Sequence, residues 1–190
     1  MLDLVHEGFD LAIRVGPIGE SRLMARPIGQ IDYGLFACPR YLARHGAPAT
    51  LEELQQHSLI TFAGGGPRRG WQLTRAGEAE AVKVDAPSRL RVNNSFAVRD
   101  ALLRSLGIGH LPLLIANSAV AQRRLVPVLP DWRPVPAPVH ALYPSTRYLS
   151  PKVRVFIDLA IERLPASNEL ARKTAERACK RRRAKARGPG

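Results

Sequence analysis

Apolar residues along this chain follow two rhythms, short continuous runs and longer stretches at helical spacing, and the alternation between them predicts an α/β order. Met1 to Glu7 reads as the last turns of a helix ended by Gly8. Asp10-Leu11-Ala12-Ile13-Arg14-Val15 follows as a near-continuous apolar strand, of the kind buried on both faces of a parallel sheet. Gly16-Pro17-Ile18-Gly19 forms a loop at its carboxyl end, where open α/β sheets bind ligands. Leu23 to Ile31 reads as extended and Tyr33 to Cys38 as a second buried strand. Pro39 then opens a short helix, Arg40 to Arg44, closed by Gly46. Thr50-Leu51-Glu52-Glu53 is a capping box, in which the Thr50 hydroxyl accepts from the Glu53 amide and the Glu53 carboxylate reaches back to the Thr50 amide.

Ser58 to Phe62 predicts another strand. Gly64-Gly65-Gly66-Pro67-Arg68-Arg69-Gly70 is a candidate lid, and no Lys-Ser/Thr pair follows to make it a phosphate loop. Trp71-Gln72-Leu73 and Ala81 to Val84 flank Arg75-Ala76-Gly77-Glu78 as a hairpin. After Leu90 and Val92, a helix beginning near Asn94 places Val98, Ala101, Leu102, Ser105 and Leu106 on one face. Pro112 opens a helix running to about Arg123, Leu125 to Leu129 reads as a short strand, and proline-rich Asp131 to Pro138 as a crossing segment. Val139 to Tyr143 is a further strand. Ser150-Pro151 starts the last helix, whose Val153, Phe156, Ile157, Ala160, Ile161 and Leu164 form one apolar stripe.

The candidate chemistry lies between Asn93 and Pro112. Asn93, Asn94 and Ser95 stand where a strand gives way to a helix, so Asn94 or Ser95 can cap the helix while neighbouring free N–H groups face a ligand. Such a helix start suits a small anion. The same residues also serve as an ordinary helix cap, so the local pattern alone leaves both readings open.

Composition narrows the class. The net charge of +13 suggests nucleic acid until it is located: Pro165 to Gly190 holds nine Lys/Arg against two Glu, and the rest of the chain is only moderately basic. That tail reads as a solvated, disordered extension able to touch phosphates nonspecifically. Cys38 and Cys179 lie far apart and offer neither a disulfide framework nor metal-ligand spacing. No secretory signal or membrane-spanning apolar run is present, so a soluble, cytoplasmic protein with no membrane partner, no metal and no cofactor is expected.

Four stretches together resemble the effector-binding domain of LysR-type transcriptional regulators. They are Glu7 to Gly16, Ala37 to Gly46, Asn93 to Pro112, and Tyr143-Pro144 with Ser150 to Ile157. The likeness runs from about Leu2 to Leu164. It implies an α/β, two-lobe fold like a type 2 periplasmic binding protein, with lobe I incomplete: residues 1–31 and 135–164 in lobe I, 32–134 in lobe II, hinges near Gln30 and Pro136, and 165–190 as the basic tail. By position, Gly16 and Pro17, Phe62, Ala63 and Gly64, Asn93, Asn94, Ser95 and Phe96, and His110, Leu111 and Pro112 would line a cleft for a small-molecule inducer, with a carboxylate as a fitting class. His110 carries the weakest case, since a strand-end histidine is commonly hydrogen-bonded structure.

The resemblance further implies a homodimer or homotetramer in the full-length protein, and DNA contact only through a winged helix-turn-helix. No such element precedes Met1, and the first strand, helix and strand of lobe I are also missing, as expected of an N-terminally truncated regulator. The same fold also serves free-standing solute-binding proteins, against which the missing export signal argues. A hydrolytic set of Ser95, Asp100 and His110 has no Gly-x-Ser-x-Gly elbow to support it, so an enzyme is not expected.

Overall fold

The computed structural model describes residues 8–19, 21, 23–63, 70–76, 78–85, 88–144 and 150–163. The expected helix at Met1 to Glu7, the lid residues 64–69, Leu164 and the basic tail lie outside them. Eleven strands and five helices are described: β1 Ala12–Val15, β2 Met24–Ile31, β3 Tyr33–Ala37, α1 Pro39–His45, α2 Leu51–Gln55, β4 Leu59–Phe62, β5 Trp71–Arg75, β6 Ala81–Val84, β7 Ser88–Val92, α3 Ser95–Leu103, β8 Ile108–Pro112, α4 Leu113–Ala121, β9 Val126–Pro127, β10 Trp132–Pro134, β11 Ala137–Tyr143, and a last helix, α5, over residues 151–163. They divide into two compact units. One holds the described residues up to Ile31 and from Pro136 on, the other Asp32–Val135.

The second unit is built on a five-stranded sheet in the order β7-β4-β8-β3-β9, in which β4 runs parallel to both β7 and β8 and β3 runs antiparallel to β8 and β9. Leu35, Leu59, Ile60, Ile108 and Leu111 bury their side chains from this sheet. Helix α3 closes one face with Val98 and Leu102. The absence of a side chain at Gly109 permits this approach, because a Cβ there would sit 3.2 Å from Val98 and 3.3 Å from Leu102. A small antiparallel sheet, β10-β5-β6, contributes Trp71 and Leu73 to the same core.

The first unit is a three-stranded antiparallel sheet, β1-β11-β2, covered by α5. Here the expectation for β1 is corrected. Among the described residues it stands at the edge of its sheet, paired antiparallel to β11, and Ile13 and Val15 are 46% and 47% exposed. A continuous apolar run does not distinguish burial on two faces from an edge strand that its helix fails to cover. The stripe of α5 is likewise only half used. Val153 and Ile157 are buried and Ala160 partly so, while Phe156 and Ile161 remain exposed.

Several local expectations change for identifiable reasons. Asp131 to Pro138 is not merely a crossing segment: Trp132–Pro134 pairs with β5, and Pro134 falls in β10, at the edge of its sheet, where a missing N–H is tolerated. The strand expected from Leu125 to Leu129 shrinks to Val126–Pro127, and Pro127 has no amide to extend the ladder. Helix α3 ends at Leu103. Ser105 turns left-handed at φ 65°, which carries Leu106 off the helix face and into solvent. At α2 the Thr50 hydroxyl accepts from the Glu53 amide at 3.2 Å as expected, but the Glu53 carboxylate takes the Ala49 amide at 2.6 Å instead of that of Thr50.

Candidate functional site at the start of helix α3

Strands β7, β4 and β8 are parallel neighbours, so their carboxyl ends, Val92, Phe62 and Pro112, finish at one edge of the central sheet. Helix α3 begins there. Asn94 is extended (φ −132°, ψ 124°) and its side-chain oxygen accepts from the Phe96 amide at 2.8 Å, while its carbonyl accepts the first intrahelical bond, from Val98. The Ser95 and Ala97 amides of the first turn have no acceptor within the helix. Asn93, Asn94 and Phe96 are exposed and Ser95 is half-buried. The Arg99 guanidinium lies 5.2 Å from the centre of the Phe96 ring and also pairs with Asp100 at 2.9 Å, which puts a cation one turn above the helix start.

Ala63 ties this edge together, its amide donating to the Val92 carbonyl at 2.7 Å just beyond Phe62. Gly64 lies outside the described residues. Gly16 and Pro17 belong to the other unit, and their loop is held locally. The Gly16 amide donates to the Pro138 carbonyl at 2.8 Å, and Arg14 Nε to the Pro17 carbonyl at 3.1 Å.

The β8 residues have different surroundings. Leu111 is wholly buried in the core, so any ligand contact there is through backbone, and Pro112 is the residue from which α4 starts. His110 packs edge-on against Trp71 (ring centres 5.4 Å apart) and Tyr33 (5.7 Å), with Nδ1 sealed from solvent. Burial pushes its pKa down to about 4, and the same cause raises that of Tyr33. Trp71 and Tyr33 were not singled out from sequence. Trp71 reads there only as a hairpin residue, and nothing local signals that β5 brings its indole to β8.

The structure also bears on the hydrolytic set. Asp100 pairs with Arg99, and no hydrogen bond among the described residues joins Ser95, Asp100 and His110. No group of three His, Cys, Asp or Glu able to hold a metal occurs among the described residues, and no described helix is long and apolar enough to cross a membrane.

The model of the LysR substrate binding domain matches residues 1–165. The chain belongs to the LysR substrate-binding-domain family. Among its relatives, the transcriptional regulator PtxR of Pseudomonas aeruginosa is 36% identical over 165 residues, 85% of this chain and 51% of PtxR. The full-length structure of AphB, a virulence activator of Vibrio cholerae, superposes with a TM-score of 0.71 at 35% identity, covering 85% of this chain and 54% of AphB. The CrgA regulatory domain of Neisseria meningitidis superposes at 0.70 with 27% identity, covering 84% of this chain and 78% of that domain. The chain therefore spans about half the length of the curated relatives it matches. Its mixed sheets and helices are the periplasmic-binding-protein-like fold of LysR regulatory domains.

Proposed function

We propose that this chain is the effector-binding part of a cytoplasmic LysR-type regulator and that it takes a small carboxylate-bearing inducer at the start of α3. Convergence carries the reading. Three parallel strands end where α3 opens with two first-turn amides free of helical partners and Arg99 close by. Each hydrogen bond to a charged ligand contributes about 1.5–3 kcal/mol, so a few donors suffice to hold a small acid. Phe62, Ala63, Asn93 and Phe96 border this anion seat, with the β8 end, His110 to Pro112, as further lining. In the whole regulator, effector binding biases the geometry of a homodimer or homotetramer and hence of DNA-binding segments, which makes this part a sensor rather than an enzyme.

Ser95→Pro tests the seat selectively. Proline is well tolerated at the first helical position and deletes one amide donor, and Asn94 already has the extended conformation that a following proline requires. In a calorimetric or thermal-shift screen of small carboxylates, a ligand of the parent chain should bind this variant about tenfold to a hundredfold more weakly, with the unfolding midpoint of the free protein little changed. Equal affinity for parent and variant, or no carboxylate ligand in the screen, removes the helix start from the site.

A further inference from the structure

At the end of the central sheet opposite the start of α3, one phenol joins three elements. Tyr41 of α1 is 3% exposed, and its hydroxyl accepts the Ser58 amide at 3.1 Å as the chain enters β4. His57, just past α2, places Nδ1 3.2 Å from the same oxygen. A hydroxyl that accepts from an amide still has a proton of its own to donate, and a buried one needs an acceptor. Among the described residues Nδ1 is the acceptor within reach. Its lone pair must then face Tyr41, so neutral His57 carries its hydrogen on Nε2. Ser58 is held at both of its backbone polar groups, because its carbonyl accepts the Ile108 amide at 2.9 Å where β8 enters beside β4.

We propose that Tyr41 and His57 form a proton-operated clasp on the Ser58 amide, closed while His57 is neutral and released when it takes a proton. A protonated Nδ1 is a donor, and it meets an oxygen to which the Ser58 amide already donates. The phenolic hydrogen is then left without an acceptor in a buried residue, which costs more than the bond itself contributes. Neighbouring charges set the balance. Of those on α1 and α2, His45 and Glu53 act on His57: the His45 ring stacks on Tyr41 with centres 4.5 Å apart, and the Glu53 carboxylate is taken by the Ala49 amide. Residues 58–60 and 107–109, which bring β4 and β8 into the sheet, carry no charge. Burial first, and then the charge of His45, hold His57 below the usual histidine range against the pull of Glu53. A histidine lowered in the folded state favours folding above its unfolded value, so the clasp is complete above that value and is lost as pH falls below it. Once charged, the half-buried imidazole turns to water.

Nuclear magnetic resonance on the whole 190-residue chain tests the clasp. On acidification from about pH 7.5 to about pH 5, the Ser58 amide should lose about tenfold in protection from hydrogen exchange, after correction for the intrinsic rate. The Val98 amide, bonded to the Asn94 carbonyl at the far end of the sheet, should keep its protection and serves as the control. Nitrogen shifts of neutral His57 should report its hydrogen on Nε2. His57→Gln cannot take a proton and still offers Tyr41 an amide oxygen, so it should make Ser58 protection independent of pH. Tyr41→Phe should remove that protection at every pH. Ser58 protection that survives acidification, that falls equally in the parent and in His57→Gln, or that is untouched by Tyr41→Phe overturns the inference. So does neutral His57 with its hydrogen on Nδ1, an outcome read in the parent chain whether or not either variant folds.

Discussion

At the scale of single residues, His110 joins structure to a measurable pH dependence. Its imidazole is held neutral by burial, with a pKa lowered to about 4 from the ordinary histidine value of 6.5, so between those values the unfolded chain binds a proton that the folded chain does not. Stability contributed by keeping it neutral is complete above the unfolded value and is lost as pH falls toward 4, by at most about 3 kcal/mol. The urea midpoint should drop on acidification through this window, and His110→Phe, which keeps a ring against Trp71 and Tyr33, should flatten the drop. His57, also lowered chiefly by burial, contributes with the same sign, so the difference between parent and variant isolates His110. Parallel curves for the two proteins would refute this assignment. The Asn94 cap was legible because its partner, the Phe96 amide, lies two residues away. The surroundings of His110 were not, because Tyr33 and Trp71 reach it from distant strands.

At the scale of elements, local chemistry again separates what could be read from what could not. The hairpin of β5 and β6, the proline-led start of α1 and the Thr50 cap were legible, since each depends on residues within a turn of one another. Strand direction was not. It depends on long-range pairing, and β1 reads as a parallel strand until β11 is seen beside it. The turn from α3 into β8 is another place where distant backbone decides. A Cβ at Gly107 would fall 2.0 Å from the Ser58 carbonyl oxygen, and that carbonyl accepts the Ile108 amide at 2.9 Å as β8 enters the sheet beside β4. Gly107→Ala must push two backbones apart, so a loss of about 1–3 kcal/mol is expected by chemical denaturation. A substitution at Gly19, where an added Cβ meets nothing within 4 Å, is the control and should change stability little. Equal effects at the two glycines would show that the close approach to Ser58 is not what requires glycine.

At the scale of the whole chain, the two rhythms of the sequence were enough to indicate an α/β fold, but they do not report how much apolar surface each unit encloses. The unit ending at Val135 surrounds a large core drawn from its central sheet, α3, α4 and the small β5 sheet. The other encloses, among the described residues, only Ile28, Val139, Ala141, Leu142, Val153 and Ile157 as buried apolar residues. Nine of the fourteen large apolar residues that stay exposed among those described nevertheless belong to this smaller unit. Hydrophobic stabilisation scales with area removed from water, so the smaller unit should open at lower free energy than its neighbour. Native-state hydrogen exchange should find β11 and β2 amides exchanging through a sub-global opening while β4 and β8 amides exchange only on global unfolding. Matching protection in the two sheets would mean that the units unfold as one, and that the small core draws support from contacts beyond its own residues. The contrast also bears on sensing. The proposed anion seat stands on the better-packed unit, where a first-turn amide is held by a rigid sheet edge and loses little freedom on meeting a ligand.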